Sequence, residues 1–196
     1  FLSTRNTGRY LDFDNFVVSE RDSYVEGLWV KLYSVLANAS RVIEAGEKLE
    51  GGSPEEQVRF DQFIGEAYAL RALAHFDLVR LFAQPYNFTS DASHPGVAII
   101  NKVYDKRISP TRDNVQKVYQ QINLDLEAAI SKMTLAKQDG RFSVNAAHAL
   151  AARAALYQED FEAAIFHSSE VIKSGKFLLV ETANYSDLWA NNFNSR

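Results

Sequence analysis

The sequence predicts an all-α fold, a helical-repeat array broken by long irregular loops, and three observations carry that reading. Residues 65–82 have helical period, and their apolar side chains cover most of the circumference. Phe63, Ala67, Leu70, Ala74, Leu78 and Leu81 make one stripe, which Leu73, Phe76, Val79 and Phe82 widen. Start and stop signals then divide the rest of the chain into further long helices. An alanine-rich helix pair near the C-terminal end has the small residues that closely stacked helices require. A helix apolar nearly all round is packed on several sides, so the 65–82 run is expected at the centre of the array.

The elements follow in order. Residues 1–21 mix Arg5, Asn6, Gly8, Tyr10, Asp12, Asp14 and Asn15 with aromatics and show no sustained period, which reads as an irregular lead-in. A helix is expected over about 22–49, with Trp29, Leu32, Leu36, Ala39 and Ile43 on its inner face, and Gly51-Gly52 ends it. Ser53-Pro54-Glu55-Glu56 opens the central helix as N-cap, first-turn proline and dipole-favoured acids. Residues 84–110, with Pro85, Pro95 and Pro110, form a long connection. Connections beyond about 12–15 residues are uncommon in compact domains and often functional. Residues 97–100 could add a short extended piece to it.

A third long helix is expected from Thr111, as its N-cap, to Met133, with Val115, Val118, Ile122, Leu126, Ala129 and Met133 as its stripe. After a turn at Gln138-Asp139-Gly140, a fourth covers about 144–158 behind Ser143 or Asn145, and a fifth covers about 160–174 and stops at Gly175. Ala152 and Ala164 stand twelve apart, with Phe161 three residues before the second. That spacing is tetratricopeptide-like, although the Trp, Gly and terminal Pro of that repeat are missing.

Composition narrows the function. The chain has 196 residues, a formal charge of −4 and 46% hydrophobic content. That balance argues against nucleic acid as a partner, because phosphate binding needs a concentrated basic face. No run of apolar residues is long enough to span a bilayer. The absence of cysteine excludes disulfides, thiolate metal sites and a catalytic thiol. The chain begins at Phe1 and ends at Arg196 with neither a start signal nor an evident stop, so it is expected to be a piece of a longer protein.

No catalytic constellation emerges, and the chain is read as a non-enzyme without cofactor or metal. His75, His94, His148 and His167 show no metal-ligand spacing and are assigned structural or surface roles. Glu66 and Arg71 are five residues apart and share no helix face, so buried structural pairing outweighs chemistry. Turn and cap roles outweigh an acid–base pair at Asp12 and Asp14. Thirteen Phe, nine Tyr and two Trp leave ligand stacking as the remaining chemistry. A sugar lays its C–H face on an aromatic ring while Asn, Asp or Arg binds its hydroxyls. Arg5, Asn6, Arg9 and Tyr10 in the lead-in have that composition, as do Tyr86 and Asn87 in the long loop. Packing of Tyr10 and Tyr86 against helix ends is the commoner use of such residues. Trp29 is in phase with its helix's apolar stripe and is assigned to the core.

The central run also resembles the signature of the SusD/RagB family of Bacteroidota outer-membrane nutrient-binding lipoproteins. It reads Gly65-Glu66-Ala67-Tyr68-Ala69-Leu70-Arg71-Ala72, then Phe76-Asp77-Leu78-Val79-Arg80-Leu81-Phe82. Leu28-Trp29, Tyr33 and Asn38, then Val115 to Leu126, are similar to that family's flanking helices. Ala147 to Tyr157 and Phe161 to Ile172 are similar to its repeat pair, and Asn184-Tyr185-Ser186-Asp187-Leu188-Trp189 resembles the stop that comes next in the family. The resemblance implies that residues 1–196 are a single N-terminal helical-repeat portion of a longer protein on the outer-membrane surface. It implies a lipid anchor that is not in this chain. It also implies capture of glycans or oligopeptides and their delivery to a SusC-like TonB-dependent transporter. The rival reading is a tetratricopeptide-like protein–protein interaction scaffold.

Overall fold

The computed structural model describes residues 11–15, 17–19, 21–49, 52–104, 109–136 and 140–185. Among these residues the α-helices are α1 (Leu11–Asp14), α2 (Ser23–Gly46), α3 (Pro54–Phe82), α4 (Val115–Lys132), α5 (Val144–Tyr157) and α6 (Phe161–Lys173). No strand forms among the described residues, and an isolated bridge joins Pro95 to Asn114. The caps explain most boundaries. Asp22 accepts the Tyr24 and Val25 amides at the start of α2, and Ser53 with Glu56 forms a reciprocal capping box on α3. Ser143 caps α5 and Asp160 caps α6.

Two boundaries differ from the sequence reading. The first long helix ends at Gly46 rather than near 49, with Glu47 as its C-cap. The helix expected from Thr111 begins at Val115 behind Asn114. The backbone of 113–116 is already engaged: Asp113 accepts from the Gly96 amide and donates to the Val97 carbonyl, while Val115 donates to His94 and Gln116 to Ala92. The long loop therefore occupies the groups that an earlier helical turn would use.

α3 sits at the centre, packed between α2 and α4 and touching α5, while α6 packs chiefly on α5. The core takes Leu36 from α2, Ala69, Ala72, Phe76, Leu78 and Val79 from α3, and Val115, Val118, Ile122 and Leu126 from α4. Ala147, Ala151 and Ala154 let α5 close against it. Trp29 lies at the core's edge, edge-on to Phe82 at 4.8 Å. Ala152 and Ala164 are both buried, as the repeat spacing requires. The central stripe needs one correction. Phe63, Leu70 and Leu81 are 42%, 43% and 54% exposed, because the neighbouring helices flank α3 without covering that line. Arg141 lays its guanidinium over the Phe63 ring at 4.9 Å.

Gly65 marks the closest approach of α3 to α4. A Cβ there would sit 2.6 Å from Met133 Cγ and 3.1 Å from the Ala129 carbonyl oxygen. Met133 can move, but the Ala129 backbone belongs to the facing helix. Gly65→Ala should therefore be net destabilising in urea unfolding. Overpacking costs about 1–3 kcal/mol, against roughly 1 kcal/mol returned by helix propensity. A raised unfolding midpoint would show that the two helices have room to separate.

The buried polar residues of α3 are Gln62, Glu66, Arg71 and His75. At about 100° per residue, Glu66 and Arg71 point about 140° apart, and each is engaged separately. Glu66 pairs with Arg141 at 2.9 Å. Gln62 donates to Glu66 and to the Phe142 carbonyl, and accepts the Thr134 and Leu135 amides. This side of α3 holds the connection between α4 and α5. Arg71 and His75, on the other side, hold the loop before α4.

Candidate ligand-binding surface

The long connection from α3 to α4 is sewn onto the helices through its backbone. Tyr33 on α2 grips one residue twice: its hydroxyl donates to the Ala98 carbonyl at 3.2 Å and accepts the Ala98 amide at 3.1 Å. Burial raises the pKa of that phenol, while its contact with Ala98 pulls the other way. Asp113 accepts the Ile99 amide, His75 Nε2 accepts the Ile100 amide at 3.2 Å, and the Ser40 hydroxyl donates to the Ile100 carbonyl. Arg71 then donates to the Asn101 carbonyl at 2.9 Å. Val97, Ala98 and Ile100 are buried. Residues 97–100 are thus held against the helices without forming a strand.

Gly96 is required where this segment crosses the start of α4. A Cβ there would lie 3.0–3.1 Å from the backbone of residues 113–115. Upstream, His94 bridges the Thr89 hydroxyl at 2.9 Å and the Gln84 carbonyl at 3.3 Å. His94 has a loop-bracing role, in line with the structural assignment of the histidines.

This bracing fixes the outer part of the loop, where residues Tyr86–Phe88 form a single 3-10 turn. Tyr86 packs its ring edge-on against Tyr119 at 5.0 Å. Asn87 donates to Glu159 at 2.7 Å, which ties the loop to the turn between α5 and α6. Glu159 has φ +60°, a left-handed conformation that bends the chain sharply there. Beside this junction Arg80 lies over the rings of Phe76 at 4.8 Å and Tyr157 at 5.5 Å. It also donates to Asp77 at 2.6 Å and to the Tyr157 hydroxyl at 3.3 Å. That hydrogen bond and the Arg80 charge lower the pKa of the Tyr157 hydroxyl, helped by Arg153. Phe88 and Tyr157 remain 61% and 45% exposed, so they carry the open ring surface here.

Of the residues singled out by sequence, the structure brings Tyr86 and Asn87 together with Tyr157, Arg80 and Glu159. Arg5, Asn6, Arg9 and Tyr10 lie outside the described residues. Asp12 and Asp14 are exposed on the short α1. Tyr157 and Arg80 were missed because each reads as part of a helix. The one available signal was an aromatic at the end of an alanine-rich helix, directly before Gln158-Glu159-Asp160.

The fold and this surface define a helical-repeat scaffold that presents a braced loop. A family model described as starch-binding and associating with the outer membrane matches residues 3–156, and the chain belongs to that SusD-like family. A SusD-like protein of Formosa agariphila is 30% identical over 168 residues, covering 83% of this chain and 29% of its own length. One from Bacteroides ovatus is 28% identical over 191 residues, covering 92% and 33%. The chain therefore spans about a third of the length of these curated relatives.

Solved structures agree. A Bacteroides vulgatus protein, provisionally described as sugar-binding, superposes with TM-score 0.84 at 26% identity, covering 96% of this chain and 42% of its own. A SusD superfamily protein of the same species reaches TM-score 0.76 at 30% identity, covering 83% and 37%. A third, solved with a xylogluco-oligosaccharide, has TM-score 0.72 at 27% identity and covers 98% and 37%.

Proposed function

We propose that this chain is the N-terminal helical-repeat portion of a non-catalytic nutrient-binding protein on the outer-membrane surface. It captures a glycan and delivers it to a SusC-like TonB-dependent transporter, and a lipid anchor outside this chain attaches it to the membrane. The family match over residues 3–156 carries the reading, and the relative solved with a xylogluco-oligosaccharide supports a glycan over a peptide. The exposed rings of Phe88 and Tyr157 supply stacking faces, and Asn87, Glu159 and Arg80 supply polar partners for hydroxyls. Tyr86 shapes the loop from beneath. Arg5, Asn6, Arg9 and Tyr10 are proposed as further ligand contacts on their composition alone.

The outer face of α6 exposes Phe161, Ile165 and Ile172. In a repeat array such a face receives the next helix pair, and the greater length of the relatives accommodates one. A protein–protein scaffold would use that face instead, and it would bind a partner segment with no dependence on sugar.

Calorimetry of the full-length protein with xyloglucan oligosaccharides and with oligopeptides separates the readings. Tyr157→Ala or Phe88→Ala should weaken glycan binding roughly tenfold, the equivalent of about 1.4 kcal/mol, with unchanged circular dichroism. Unchanged affinity in the double variant would move the ligand surface elsewhere. Absence of both glycan binding and a copurifying barrel would remove the reading altogether.

A further inference from the structure

The α5–α6 pair contains an arrangement that sugar binding does not use. His148 on α5 and His167 on α6 face each other with Nδ1 2.9 Å from Nδ1. Their ring centroids are 5.2 Å apart, and Phe166 flanks both rings at 6.4 and 5.0 Å. Two such nitrogens satisfy each other only while one carries a proton and the other a lone pair. With both rings in the Nε2–H tautomer, two lone pairs converge on one point between the helices.

The surroundings favour a cation. Glu170 acts electrostatically on both rings, and Glu127 and Asp160 act on His167. Lys173 is the opposing charge, held to Glu170 at 3.1 Å. Burial lowers the pKa of both imidazoles, which keeps them in the neutral form that ligates metal.

We propose that His148 and His167 form an interhelical clip for a divalent transition ion of the zinc, nickel and copper class, completed by solvent and the Glu170 carboxylate. Metal–nitrogen bonds of about 2.0–2.1 Å at a tetrahedral angle set the nitrogens about 3.3 Å apart. The present 2.9 Å separation reaches that value by small ring rotations. Glu170 follows His167 by three residues, so both project from one face of α6. Helix bundles hold metals with Glu and His three residues apart on one helix, there in the order Glu-x-x-His, the reverse of the order here. Among the described residues no three such side chains are already gathered as a metal set, so Glu170 joins only by leaving Lys173. Imidazole with carboxylate selects these ions over magnesium and calcium. The clip would fasten α6, whose one buried residue is Ala164, to α5.

The test is thermal unfolding of the full-length protein, free of any tag, in sub-millimolar Ni²⁺, Zn²⁺ or Mg²⁺. Ni²⁺ and Zn²⁺ should raise Tm by about 3–6 °C through preferential binding to the folded state, and Mg²⁺ should not. His148→Gln and His167→Gln should each abolish the rise, and Glu170→Gln should reduce it. Substoichiometric Cu²⁺ should broaden the ring resonances of His148 and His167 before those of His75 and His94, which requires no variant. No rise in Tm, a rise that persists in the double histidine variant, or broadening that begins at His94 would each overturn the proposal.

Discussion

Arg71→Met should lower the unfolding free energy by about 3–5 kcal/mol, the usual cost of removing one member of a buried ion pair. Arg71 and Asp125 are 4% and 1% exposed. The guanidinium grips the carboxylate twice, Nε to Oδ2 at 2.9 Å and Nη2 to Oδ1 at 2.6 Å. Burial pushes the Asp125 carboxyl pKa up, and the hydrogen bonds and charge of Arg71 oppose that rise. Without Arg71, the carboxylate keeps the Gln121 side-chain amide as a donor at 2.9 Å and takes up a proton instead. Arg71 also donates to the Asn101 carbonyl, so the variant loosens the loop as well as the core. Arg71→Met with Asp125→Leu removes the stranded acid and should recover most of the loss, but not the Asn101 contact. Urea unfolding of the parent and the single and double variants gives the comparison. A single-variant loss under about 1 kcal/mol, typical of an exposed pair, would contradict the buried geometry.

The Arg71 network shows why the sequence revealed the scaffold more readily than its internal wiring. Apolar period placed α3 at the centre and set all of α4's stripe inward, because a periodic stripe is repeated evidence along one element. The same period could not say which arc of α3 lacks a neighbour, and Phe63, Leu70 and Leu81 fall on that arc. The loop's prolines announced a break in helix. Its anchors did not show, because Tyr33, Ser40 and His75 are single polar residues on apolar faces. The Tyr33–Ala98 contact spans 65 residues of sequence, and no local pattern encodes it. At the candidate surface, composition found Tyr86 and Asn87 in a loop, whereas Tyr157 and Arg80 acquire their setting only when α3, α5 and the loop meet.

Residues of the central run have separate tasks in the fold. Gly65 admits α4, Glu66 holds Arg141 beside the α4–α5 connection, and Arg71 joins α4 to the loop segment. The residues that carry the family resemblance therefore order the connections that emerge from the array. Gly65, Glu66 and Arg71 lie outside the candidate ligand surface, whereas Arg80 near the end of the same run belongs to it. Resemblance in this run identifies the scaffold and leaves ligand choice to the loops.

His75 makes that loop acid-sensitive. Its side chain is fully buried, and its pKa is lowered from 6.5 to about 3 by burial first and by the Arg71 charge second. Nε2 accepts the Ile100 amide, so a proton there would set one N–H against another. The unfolded chain takes up that proton near pH 6.5 and the folded chain resists it down to about 3. The stability from neutral His75 is therefore fully present above pH 6.5 and declines as pH falls toward 3. The slope is about 1.4 kcal/mol per pH unit, giving a loss of roughly 2 kcal/mol by pH 5 relative to neutral pH. His148 and His167 shift in the same direction and add to it. His75→Gln keeps an acceptor for Ile100 but cannot titrate, so its urea midpoint should fall less steeply with acid than the parent's. Equal slopes in parent and variant would rule out His75 as the source. Relative to the intrinsic exchange rate at each pH, protection of the Ile99 and Ile100 amides should fall on acidification in the parent before protection in α4 does, because the contact to Ile100 is lost while the helix's own ladder remains intact.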